Sequence, residues 1–417
     1  MSQITIKPSI ASGKVMVPPS KSYTHRLLIA SALSNSDVEV KNVVLSNDIK
    51  ATLNCLKTLG KTIDIVDGEY NQTIKITNSN TNCNASSNIE LADELIFDCI
   101  ESGSTLRFFI PIALLTGKKV TFIGSEKLLS RGLTVYENIC LEQNIKYTKT
   151  LTSITFDGKL KSGIFEIPGN ISSQFITGLL FALPLLDGDS TINITNVLES
   201  KNYLDITLDV LNRAGINIEF DNNKYYIKGN QTYLPNNYTV EGDYSNAAFL
   251  EAFNYLGGSV ELIGLNPHSL QGDKIYQKYF QVLNEDYQEL DISNCIDLGP
   301  ILFAFASLKH GAKFTGTKRL KIKESDRITD VISEIAKFGG KIADFGEFVN
   351  IDEQILSKPE KVLYGQNDHR IVMMLAVMAS VYGGTITGIE AVNKSYPHFF
   401  KDLESLGIEV YYDAIEK

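Results

Sequence analysis

The feature that most constrains this chain is a repeat. A helix rich in small and apolar residues, closing in a turn and an alternating strand, recurs at 26–43, 104–124, 172–195, 245–264, 299–316 and 369–388. In the last copy an apolar run from Ile371 to Ala379 ends at Gly383-Gly384, and Thr385 to Ile389 follows as a strand. A second, more amphipathic helix follows each copy, at 48–65, 133–149, 203–220, 275–290, 326–345 and 397–412. Gly or Asn after most of these helices supplies a left-handed cap, and the alternation beyond reads as half-buried strand. The pattern predicts six helix–strand–helix–strand units of roughly 70 residues.

Six units in 417 residues exceed one ordinary core, so three per domain is the expected division. The expected crossing is at 240–243, just before the fourth copy, paired with Pro18-Pro19. That gives one domain over 19–241 and another built from 1–18 plus 242–417. The stretch 78–88 is polar and turn-rich and reads as a surface loop without chemistry.

Charged and hydroxyl residues collect at the starts of the first-type helices. The clearest case is Val17-Pro18-Pro19-Ser20-Lys21-Ser22-Tyr23-Thr24-His25-Arg26. Two prolines stiffen the entry, serines cap the free amides, and the helix dipole attracts an anion. Lys21 at the mouth, with Ser22 and Arg26 one turn apart, suits a phosphate or carboxylate. Other copies begin Glu101-Ser102-Gly103-Ser104-Thr105-Leu106-Arg107, Gly169-Asn170-Ile171-Ser172-Ser173-Gln174 and Asn367-Asp368-His369-Arg370, and Asp297 precedes the fifth. Helices running side by side would bring these starts to one face, and two such faces would enclose a small polyanion.

The chain is acidic, with 49 Asp and Glu against 39 Lys and Arg and a net charge of −10. A nucleic-acid partner, which needs a broad basic surface, is therefore not expected. The local gathering of Lys and Arg gains weight in such a chain. Cys55, Cys83, Cys99, Cys140 and Cys295 are scattered with no ligand spacing, so neither a disulfide frame nor a zinc site is expected. No signal peptide and no membrane-crossing run is read, which places the protein in the cytoplasm.

Pro19-Ser20-Lys21-Ser22, Gly169 to Phe175, Lys323-Glu324-Ser325-Asp326-Arg327, Asn367-Asp368-His369-Arg370 and Lys394-Ser395-Tyr396-Pro397 together resemble the 5-enolpyruvylshikimate-3-phosphate synthases, in order and over nearly the whole chain. The resemblance implies an α/β enolpyruvyl transferase fold: two domains, each of three βαβαββ units, forming an inside-out α/β barrel. It implies transfer of the enolpyruvyl group of phosphoenolpyruvate to shikimate 3-phosphate on the route to aromatic amino acids, by a monomer with no metal or organic cofactor. By the same resemblance Ser22, Arg26, Ser172, Ser173 and Ser200 would hold shikimate 3-phosphate, with Tyr203 packed on it. Lys21, Gly103, Arg131, Gln174, Arg327, Arg370 and Lys394 would hold phosphoenolpyruvate, Gln174 touching both ligands. Lys323 and His369, in the same motifs, count with the substrate-binding residues. Asp297 would take the proton of the attacking hydroxyl, Glu324 would handle the proton at the methylene carbon, and Lys21 counts with them as catalytic.

One departure is Glu101, where the family usually has Asn; its carboxylate would either repel phosphoenolpyruvate or cap the helix. The close rival, the UDP-N-acetylglucosamine enolpyruvyl transferases, typically has Lys-Asn where this chain has Lys21-Ser22. That family often carries a cysteine in the loop matching 124–132, where this chain has none. An RNA 3′-phosphate cyclase-like protein or a non-catalytic binding module fits less well, given the acidic balance and the carboxylates gathered with the cations.

Overall fold

Four of the six sheets among the described residues are built around a helical crossover. In one, Ile164–Pro168 pairs in parallel with Ser190–Thr195, and the helix Ser173–Ala182 connects them, since parallel neighbours cannot be joined by a tight turn. Lys224–Ile227 then pairs antiparallel with Ser190–Thr195, and Ile218–Asp221 closes the hairpin at the other edge. Glu94–Asp98, Lys119–Ile123, Ser153–Asp157 and Lys146–Lys149 repeat the plan. Five of the six sheets among the described residues share this order of one parallel and two antiparallel pairings. The structure, a computed structural model, describes residues 2–68, 70–78 and 93–412; residues 79–88 of the expected polar loop lie outside them.

The fourth sheet departs from the expected βαβαββ plan. It contains only Ser259–Ile263 and Ser12–Met16, paired in parallel. The reason is chain length. The helix Tyr276–Glu285 is followed after two residues by Gln288–Asp291, which already serves as the edge of the next sheet. No residues remain for a hairpin.

Two compact units result: Pro19–Glu241, and Met1–Pro18 with Gly242–Lys417. Hydrogen bonds fasten the chain on either side of each passage. In one unit Ser20 N donates to Glu241 O at 2.7 Å, and in the other Asp243 N donates to Pro18 O at 2.8 Å. The N-terminal segment supplies two strands: Gln3–Ile6 sits between Gly384–Thr387 and Val410–Tyr412, and Ser12–Met16 pairs as above. Tyr238–Thr239 pairs with Val38–Val43 in the other unit.

The two helix types differ in burial as their sequences predict. Ile371 to Ala379 are all 0–1% exposed, so this helix is apolar all round and lies inside. The helix Arg327–Lys337 buries Ile328, Val331 and Ile335 on one stripe. After the amphipathic helices, Gly60, Asn144, Gly215, Gly339 and Gly407 take positive φ between 57° and 86°, the left-handed stop their positions predicted. Each unit has its own apolar core. Cys55, Cys99, Cys140 and Cys295 are buried free thiols, and Cys83 lies outside the described residues.

Candidate active site

In the Pro19–Glu241 unit, hydrogen bonds join the starts of several helices. Ser20 caps Lys21–Leu33 by accepting from Tyr23 N. Lys21, at the first helical position, reaches Asp48 on the neighbouring helix Asn47–Thr58 at 3.1 Å. Arg26, one turn on, is buried, and donates to Ser22 O (2.8 Å), Tyr203 O (3.1 Å) and Thr207 Oγ1 (2.8 Å). All three acceptors are uncharged, and no carboxylate among the described residues lies within ion-pair distance of Arg26. Burial pulls its pKa down to about 10, because a guanidinium out of water without a counter-ion is disfavoured. The Lys21–Ser22–Arg26 turn thus presents two cations with different partners.

Gly103 opens the helix Gly103–Leu114, capped by Ser102, whose Oγ accepts from Thr105 N at 3.2 Å. The cap is therefore Ser102 rather than Glu101. A Cβ on Gly103 would lie 2.9 Å from a guanidinium nitrogen of both Arg107 and Arg131, so glycine lets two cations converge on the exposed amides. Arg107 Nη1 donates to Gln174 Oε1 at 2.9 Å, and Gln174 Nε2 donates to Ser104 Oγ at 2.9 Å. Gln174, with Ser172 as cap and Ser173 as first residue, starts the helix Ser173–Ala182. Gly178 on that helix packs against Arg107 O, and Tyr136 Oη donates to the same carbonyl at 2.6 Å. Ser200, buried with φ 57°, precedes the helix that carries Tyr203 and Thr207. His25, Thr52, Thr105 and Ser102 form a buried chain of hydrogen bonds of 2.7–2.8 Å beneath these helix starts. Burial, then Lys21 and Arg26, holds the His25 pKa well below its ordinary value.

The other predicted residues meet in the second unit. Asp297 Oδ1 accepts from Lys323 Nζ at 3.1 Å and from Arg327 Nη1 at 2.9 Å. Glu324 Oε2 accepts from Arg327 Nη2 at 2.9 Å. The fully buried Asp368 accepts from Arg327 Nε at 2.8 Å and Nη2 at 3.3 Å. Burial opposes the Arg327 charge, but Asp368, Glu324 and Asp297 more than offset it and raise its pKa. Lys323 goes the other way: burial lowers its pKa although Asp297 pulls it up. Asp368 also caps the helix His369–Tyr382 by accepting from Arg370 N. His369 is buried beside it. Arg370, 2% exposed, donates to Asn246 Oδ1 at 3.1 Å and Ser245 Oγ at 2.6 Å. Like Arg26, it has no carboxylate within ion-pair distance among the described residues. Lys394 donates to Asn367 O at 2.7 Å.

This arrangement can hold anions at helix starts and keep three carboxylates beside one guanidinium. The model of the family described as EPSP synthase (3-phosphoshikimate 1-carboxyvinyltransferase) matches residues 6–403. The chain belongs to the EPSP synthase family. A 3-phosphoshikimate 1-carboxyvinyltransferase from Clostridium novyi (strain NT) is 41% identical over 98% of each chain, and one from Clostridium acetobutylicum is 39% identical over 99% of each. The solved EPSP synthase of Acinetobacter baumannii superposes with a TM-score of 0.79, covering 99% of this chain and all of that one at 20% identity. The fold is thus the EPSP synthase fold.

Three residues of this EPSP synthase family member carry contacts that sequence reasoning gave no role. Arg107 stood in the polar run at its helix start without an assigned partner, and its i, i+4 spacing from Gly103 points it back at that start. Asp368 stood unassigned inside its own motif. Asp48 offered no signal, since its partner Lys21 is 27 residues away.

Proposed function

We propose that this chain transfers the enolpyruvyl group of phosphoenolpyruvate to the 5-hydroxyl of shikimate 3-phosphate, forming 5-enolpyruvylshikimate 3-phosphate and phosphate. The supporting structural observation is the pair of buried arginines, Arg26 and Arg370, bonded only to uncharged oxygens and amides. A buried cation without a counter-ion is costly unless a ligand supplies the charge, and both substrates are phosphorylated carboxylates.

In this reading Ser22, Arg26, Ser172, Ser173, Ser200 and Tyr203 hold the acceptor. Lys21, Gly103, Arg131, Gln174, Arg327, Arg370 and Lys394 hold the donor, Gln174 touches both ligands, and Lys323 and His369 count with the substrate-binding residues. Planar guanidiniums match carboxylate and phosphate as forks, and the lysines act as point charges. The acceptor hydroxyl attacks the central carbon of phosphoenolpyruvate while its methylene carbon gains a proton. The carbon–oxygen bond to phosphate then breaks as the methyl carbon gives up a proton, and the hydroxyl proton leaves with the phosphate, so protons balance overall. Asp297 takes the hydroxyl proton, and Glu324 works at the methylene carbon with Lys21. Arg327 fixes both carboxylates, whose charge steadies the cationic character at the central carbon.

The protein is read as a cytoplasmic monomer acting on small molecules without nucleic acid or added cofactor. No helix among the described residues is long and apolar enough to cross a membrane. Calorimetry with shikimate 3-phosphate tests the acceptor assignment: binding to the wild type that Arg26→Met abolishes supports it, and equal binding by both removes Arg26 from the acceptor site.

A further inference from the structure

One buried carboxylate in the second unit takes no part in the proposed chemistry. Glu334 is 1% exposed, and apart from Lys337 on its own helix its hydrogen-bond partners lie in the segment leading into Asp368. Its Oε2 accepts from Tyr364 N at 2.9 Å, and its Oε1 accepts from Gln366 Nε2 at 3.3 Å. Lys337 donates to both oxygens at 2.8 Å, reaches on to Val362 O at 3.0 Å, and lies over the Tyr364 ring.

The segment held in this way is strained. Gln366 and Asn367 both have positive φ, 52° and 50°, a backbone region that side chains other than glycine disfavour. That turn aims Asn367 O at Lys394 Nζ, 2.7 Å away, and delivers Asp368 to Arg327. Arg327 and Glu334 stand at i and i+7 of one helix, hence on one face two turns apart. The helix Arg327–Lys337 therefore grips the segment 364–368 at both ends, Glu334 at its start and Arg327 at its finish.

We infer that Glu334 is a positioning residue for donor binding: by fixing the Gln366–Asn367 turn it sets where the Lys394 ammonium stands. The inference rests on the reading that Lys394 holds phosphoenolpyruvate. A charge displaced by a fraction of an ångström loses interaction with a bound anion, and the effect falls on donor binding rather than on the acceptor.

Three variants test it: Glu334→Gln, Lys394→Met and the double variant. Gln keeps the shape but can accept at only one of the two oxygens. The expected result for Glu334→Gln is a KM for phosphoenolpyruvate raised about 3- to 10-fold, with kcat within about twofold and shikimate 3-phosphate affinity unchanged. The double variant should be no worse than Lys394→Met alone, because both changes act through one group. If Lys394→Met raises the donor KM and Glu334→Gln does not, the positioning role is overturned and the site reading stands. If the two effects multiply fully, Glu334 acts elsewhere and the inference also falls. If Lys394→Met leaves the donor KM unchanged, the reading of Lys394 fails and takes the inference with it. Should Glu334→Gln not fold, Gln366→Leu at the exposed turn removes the 3.3 Å contact alone, and an unchanged donor KM there overturns the role.

Discussion

Arg327 and Asp368 form a buried two-point ion pair, Nε to Oδ2 at 2.8 Å and Nη2 to Oδ1 at 3.3 Å, in a protein whose other site carboxylates are partly open to solvent. The pair sets the plane of the guanidinium, and with it the places of Asp297 and Glu324. Asp368→Asn is the clean probe, because Asn caps a helix as well as Asp and only the charge is lost. Breaking a buried pair from one side costs about 3–5 kcal/mol. Denaturant unfolding should show a loss of that order, and turnover should fall with it.

Arg26 leads to the opposite stability prediction. Its buried charge has only neutral partners in the free protein. Arg26→Met should leave the stability of the ligand-free protein within about 1 kcal/mol of wild type, or raise it. The same change should weaken shikimate 3-phosphate binding by about 2–5 kcal/mol, read by calorimetry.

Asp297 is placed to act as a base, held by Lys323 and Arg327. Asp297→Ala should keep substrate binding and lose turnover by about 100-fold or more, the usual range for a general base. Unchanged turnover in single-turnover experiments would remove it from the proton transfer.

His25 gives a pH prediction. Its folded pKa lies well below the ordinary 6.5 because burial, Lys21 and Arg26 all disfavour the charged ring. Below about pH 6.5 the unfolded chain therefore binds a proton that the folded one refuses, so stability falls as pH falls. The slope from this one group approaches about 1.4 kcal/mol per pH unit. His25→Asn should flatten the acid side of the stability profile; an unaltered slope would show that other groups set it.

The repeat was legible because its signals are local. Gly60, Asn144, Gly215, Gly339 and Gly407 end their helices where periodicity said they would. The leading strand of each sheet, such as Glu94–Asp98, was not separately legible, since its parallel partner lies across a whole helix. The same holds for Gln3–Ile6, which is fixed by residues some 380 positions away. At the site, Lys21, Arg131 and Arg370 stood out as cations at helix starts or turns. Glu334 did not, because i, i+3 spacing from Lys337 reads as an ordinary surface pair, and its burial depends on a strand formed later in the chain.

The most direct test of the account is phosphate release from phosphoenolpyruvate with shikimate 3-phosphate as acceptor, run beside UDP-N-acetylglucosamine. The account predicts rapid release with shikimate 3-phosphate and none above background with the sugar nucleotide. Release with the sugar nucleotide alone, or with neither, would contradict it.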